Sequence, residues 1–150
     1  MTLDRLPIRY RPACDCDLTA MVGMNGLLPK EDRYPVPVLA YIQNQRTCRT
    51  FVAESEGIVG VVIAHKLRGQ TGEILLFDVD REWLATEIAP ALFIRAESWL
   101  RDQGARSVFV EAADGSGQSQ LCLELGYFLR EEPETGGMEP SRLLLRKIFP

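Results

Sequence analysis

One segment limits what this chain can fold into more than any other: residues 72–104, GEILLFDVDREWLATEIAPALFIRAESWLRDQG. Ile74 to Val79 is dense in apolar residues, long enough for one buried strand, and bounded by turn and charged residues. After a connection over 80–86, Ile88, Leu92, Ala96 and Trp99 recur at three- and four-residue steps. That is the period of a helix with one buried face, and Gly104 stands where it would stop. A buried strand feeding a helix N-terminus attracts anions, because free N–H groups and the positive end of the helix dipole point the same way. Thr86 is placed to cap the helix, and Pro90 falls in the first turn, where its missing N–H costs little. Strict alternation along the strand puts Glu73 on one face with Leu75, Phe77 and Val79.

A chain of 150 residues is long enough for a real core and most simply forms one domain, 1–150. With 25% charged residues it reads as globular rather than disordered. A net charge of −4 argues against nucleic acid as a partner. No apolar run approaches the roughly 20 residues of a membrane span, and the first ten residues lack a signal-peptide core. Cytoplasm is the expected location. Cys14, Cys16, Cys48 and Cys122 have only His65 to join them, so reduced thiols are expected and a metal is not.

Pro7–Pro12 reads as a first strand, and Asp15 or Asp17 can cap a helix carrying Leu18, Met21 and Val22. Glycines and prolines keep 23–37 irregular, and 38–45 suits a second short helix. Residues 50–54 and 58–66 form the clearest hairpin, turning at Ser55-Glu56-Gly57. Beyond Gly104, 107–112 reads as a strand parallel to the central one. A helix follows over 118–125, then a strand from Tyr127 and a last one over 141–148. The expected class is mixed α/β, in the order βααβββαβαββ.

Several of these pieces resemble the GNAT acetyltransferases. Phe51-Val-Ala-Glu-Ser-Glu-Gly-Ile-Val-Gly60 is similar to their second and third strands, and Gly126-Tyr127 stands at a closing Gly-Phe motif. Val79, Trp83, Ala89 and Leu92 match the frame of the central motif, in which a strand feeds a loop of pattern Arg/Gln-x-x-Gly-x-Gly/Ala. The resemblance implies acetyl-CoA as co-substrate, held by Phe77, Val79 and the loop Leu84-Ala85-Thr86-Glu87-Ile88-Ala89. It implies Glu73 as general base for the amine, with Glu54, Asp78, Glu111 and His65 in reserve. A backbone amide near Val79 would bind the thioester carbonyl. Cys122 stands where the family places a tyrosine acid, and Tyr34 and Tyr41 fall where the acceptor pocket forms.

The loop departs from the pattern, with Leu84 in place of Arg or Gln and Glu87 in place of the first glycine. A carboxylate there repels a pyrophosphate. Two readings follow. One is an N-acetyltransferase acting on an amine of a small molecule or protein. The other is a GNAT-fold domain without catalysis, binding a partner alone or as a homodimer.

Overall fold

The computed structural model describes residues 7–17, 20–21, 44–83, 86–113, 117–129 and 142–150. Its strands are β1 (Arg9–Pro12), β2 (Cys48–Glu54), β3 (Ile58–Lys66), β4 (Thr71–Val79), β5 (Ser107–Ala113), β6 (Phe128–Leu129) and β7 (Arg142–Ile148). Two α-helices are bounded within the described residues, α1 (Ile88–Asp102) and α2 (Gly117–Glu124), and Ala20 and Met21 are helical as well. Single helical turns occupy Asp15–Asp17 and Arg81–Trp83. The strands form one sheet in the order β1-β2-β3-β4-β5-β7-β6. Neighbours run antiparallel except β4 and β5. Along the chain, the seven strands and the two helices after β4 follow the expected order of elements. Of the two helices expected between β1 and β2, the first shows in Ala20 and Met21, which are helical; residues 18–19 and 22–43 lie outside the described set, and Gln45–Thr47 is already a turn into β2.

The sheet has two different faces. On one, α1 lays Ile88, Leu92, Phe93, Ala96 and Leu100 across Val62, Ala64, Ile74, Val79, Val108 and Val110. Leu92, Phe93 and Leu100 are essentially inaccessible. Each such side chain removed from water is worth about 1.5–3 kcal/mol. On the other face Met21, Val52, Val61, Ile63 and Leu76 form a smaller cluster. A polar bolt ties α1 to the far end of the sheet. Buried Glu97 accepts hydrogen bonds from the Tyr127 hydroxyl at 2.7 Å and from Lys147 Nζ at 3.0 Å. Burial and the neighbouring carboxylate push the Tyr127 hydroxyl far above its ordinary pKa, so it remains a donor.

Strict alternation fails at one place in β4. The β3–β4 register runs Ile63↔Leu76 and then Ala64↔Ile74, leaving Leu75 as an extra residue in a bulge. Gly72 and Ile74 face α1 before the bulge, and Phe77 and Val79 face it afterwards. Leu76 and Asp78 turn to the other face, which Glu73 already occupies opposite His65. The expectation that Glu73 shares a face with Phe77 and Val79 is thus corrected: one extra residue inverts the alternation between them.

The cysteine expectation is corrected as well. Cys14 and Cys16 form a disulfide, with Cα atoms 5.3 Å apart. The helical turn at Asp15–Asp17 folds the chain back, and the Asp17 carboxylate fastens it by accepting the Cys14 N–H at 2.8 Å. Arg11 holds the same carboxylate through two bonds of 2.8 Å. Cys48 and Cys122 are free and buried.

Close packing of β4 against α1 depends on Gly72, where an added Cβ would lie 2.6 Å from Leu100 Cδ2. We expect Gly72→Ala to lower the unfolding free energy by about 1–3 kcal/mol in urea denaturation, since Leu100 is buried and has little room to yield.

Candidate active site

β4 and β5 pair only over Thr71↔Ser107 to Ile74↔Val110. The next residue of β4 is the bulge, which bends that strand away from its parallel neighbour. Beyond it the two strands diverge and leave a gap in the middle of the sheet. Asp80 N–H donates to Val59 O at 2.8 Å, so the backbone groups of Asp78 and Asp80 turn toward β3. By the two-residue alternation of a strand, those of Phe77 and Val79 turn into the gap. Gln118, at the start of α2, reaches across and donates its side-chain amide to the Phe77 carbonyl at 2.9 Å.

A cleft of about 150 Å³ opens at the root of the gap, lined by Glu73, Ile74, Leu75, Phe109, Val110, Glu111 and Leu144. Glu73 is one-third exposed there and accepts a hydrogen bond from His65 Nδ1 at 2.8 Å. His65 is its direct cross-strand neighbour. Two residues held apart in the sequence reading therefore act as a pair.

Asp78 stands higher on the same strand. Burial, with a smaller contribution from Asp80, pushes its carboxyl up to about 6. Its Oδ2 is buried and has no hydrogen-bond partner among the described residues. The Val79 amide expected to receive a carbonyl faces the gap.

At the gap's α1 side, Thr86 caps the helix as expected: its Oγ1 accepts the Ile88 N–H at 3.3 Å and donates to the Trp83 carbonyl. Glu87 has helical dihedrals, makes no side-chain cap and is exposed. Ile88 and Ala89 bury their side chains in the core, so only their backbone could meet a ligand. Ala91 N–H is spent on Glu87 O at 3.0 Å. Phe77 packs its ring on Phe93, centroids 4.8 Å apart, which leaves its backbone as the part exposed to the gap. Asp80, Glu82 and Glu87 make the approach acidic, and burial together with Glu82 raises the Asp80 pKa. Leu84, Ala85, Tyr34 and Tyr41 lie outside the described residues.

Cys122 does not share the cleft. It is 1% exposed, sits in the core near Glu97, and burial raises its thiol pKa to about 11. Glu54, on the outer hairpin, is engaged by Arg11 Nε at 3.2 Å. The sequence reading gave no role to Gln118, whose signal was an amide at the start of a short helix facing a strand edge.

The family model for the acetyltransferase (GNAT) family matches residues 22–127, well over half of the chain. The chain belongs to that GNAT family. Among solved structures, Ard1 from Thermoplasma volcanium superposes with a TM-score of 0.79 at 17% identity, covering 97% of this chain and 99% of its own. PaiA N-acetyltransferase from Thermoplasma acidophilum, solved with coenzyme A, gives 0.78 at 14% identity, covering 96% and 100%. A protein from Bacillus anthracis str. Ames in complex with acetyl coenzyme A gives 0.77 at 12% identity, covering 97% and 100%. These likenesses show the GNAT fold. No curated relative matches the chain by sequence.

The Thr86 cap holds the first turn of α1 at the edge of this GNAT site. Thr86→Ala should cost about 1 kcal/mol in chemical denaturation, and a change below a few tenths would show that the bond to Ile88 N–H carries no stability.

Proposed function

We propose that the protein is an N-acetyltransferase that moves an acetyl group from acetyl-CoA to a primary amine of a small molecule or protein, both bound at once. The observation that carries the reading is the β4–β5 gap. A backbone N–H at Val79 faces into it, and the Glu73–His65 pair lies at its root. Family membership and the complexes of PaiA with coenzyme A and of the B. anthracis protein with acetyl coenzyme A support acetyl-CoA as the donor.

In this reading the thioester lies in the gap along Phe77 and Val79, and the pyrophosphate lies by residues 84–89 at the start of α1. Glu73 orients the acceptor's ammonium at the cleft. The amine nitrogen forms a C–N bond to the thioester carbon, the carbonyl oxygen takes the negative charge, and the C–S bond then breaks with its electron pair on sulfur. A fixed backbone donor toward that oxygen in a dry site is worth roughly 3 kcal/mol of barrier. One proton leaves the ammonium before attack and goes to solvent. The second leaves the new amide nitrogen and neutralises the CoA thiolate. A thiol of pKa about 8.5 is a good enough leaving group near neutral pH, so no side-chain acid is needed and Cys122 receives no role.

Asp80, Glu82 and Glu87 favour the other reading, a domain of this fold that binds a partner without catalysis. Melting with and without acetyl-CoA separates the two. A donor that binds only the folded state adds about 2.7 kcal/mol at 100 times its Kd. We expect a clear rise in Tm with acetyl-CoA and with CoA. No shift at millimolar ligand would remove the transferase reading. Glu87→Gln should tighten CoA binding by roughly two- to fivefold at low salt and by less at high salt, read by calorimetry. Weaker binding would show that Glu87 is not the repulsive group.

A further inference from the structure

The cleft at Glu73 and the gap at Val79 are two places on one strand, and the length of chain between them constrains the acceptor. Glu73 precedes Val79 by six positions, and the bulge takes up one of them. Five strand steps of about 3.3 Å put the two residues roughly 16 Å apart along β4. A hydrogen bond to an ammonium spans only about 3 Å. Even with the Glu73 side chain extended toward the gap, one nitrogen cannot both rest on that carboxylate and attack a thioester whose oxygen meets the Val79 N–H. Another part of the acceptor must fill the cleft.

The cleft suits a cation on an apolar stem. Glu73 and Glu111 border it, and Phe109 and Leu144 line it between them. All four stand on the face away from α1, since Ile74, Val108, Val110 and Leu145 take the α1 side by alternation. Arg146 stacks over the Phe109 ring, 5.3 Å from its centroid, so a bound cation is left to the carboxylates rather than to that ring. His65 Nδ1 holds Glu73 Oε1 at 2.8 Å and limits the rotation of its side chain. A long side chain restrained in advance loses less freedom when it binds.

We propose, on the acetyltransferase reading, that the acceptor is an aliphatic diamine. One ammonium rests at the Glu73 cleft while the other nitrogen reacts at the gap. Side-chain reach and hydrogen-bond lengths shorten the distance between the two nitrogens to on the order of 10 Å. An extended unbranched diamine of about eight carbons spans it. The ammonium that Glu73 orients keeps its protons. The nitrogen at the gap loses one to solvent, forms the C–N bond, and the products are the mono-acetylated diamine and CoA.

The test needs four acceptors: the α,ω-diamines of four and eight carbons and the n-alkylamines of the same two lengths. CoA release is followed by thiol titration, and diamine rates are halved for their two equivalent nitrogens. Matched length cancels the contribution of the apolar stem. We expect the eight-carbon diamine to exceed octylamine at least tenfold in kcat/KM, through KM, because its second ammonium gains a charged partner. The four-carbon pair should differ less than twofold, since the short diamine cannot bridge the two places. Glu73→Gln keeps the shape of the side chain without its charge and should bring the eight-carbon ratio close to one.

Equal kcat/KM for the eight-carbon pair in wild type would overturn the assignment and leave the transferase reading standing. So would an eight-carbon preference that survives in Glu73→Gln. A wild type that acetyl-CoA stabilises but that acetylates none of the four amines would overturn the diamine alone. One that is neither stabilised nor active would remove both.

Discussion

The site depends on one extra residue in β4. Without the bulge at Leu75, β4 and β5 would pair along their whole length, and no backbone donor would face an opening. With it, pairing stops at Ile74↔Val110 and the alternation inverts. Phe77 and Val79 then anchor the outer half of β4 to α1, while Leu76 and Asp78 face the other way. A gap inside a sheet exposes unpaired peptide groups, which must find partners or pay for their isolation. Gln118 satisfies the Phe77 carbonyl from the far side. The Glu97 bolt to Tyr127 and Lys147 fixes α1 against the sheet beyond the gap, so the opening is braced from both ends.

The elements were legible because each buried run is flanked by punctuation: Gly57 and Gly69 at turns, Gly104 and Gly126 at helix ends. All four adopt positive φ, a conformation that glycine reaches at little cost. The order of elements along the chain followed from these runs, but the placing of β7 between β5 and β6 in the sheet was not read from the sequence. What stayed hidden was the bulge. Ile74 to Phe77 is apolar at every position, so alternation carries no mark of where the parity changes. The face assigned to Glu73 relative to Phe77 was lost for that reason alone. The Glu73–His65 pair was hidden for another: it needs the β3–β4 register, which no local pattern encodes. Cys14 and Cys16 were read through composition, whereas a turn anchored by Asp17 and Arg11 decides their pairing.

Charge around the gap is divided by the plane of the sheet, and the division bears on function. Asp78 and Glu73 stand on the face away from α1, where a cationic amine is favoured by every carboxylate it meets. Glu87 stands at the start of α1, where the helix dipole favours it only until a second anion arrives. The negative charge that suits an amine at the cleft therefore opposes a pyrophosphate at the start of α1, and the two demands fall on opposite sides of one sheet.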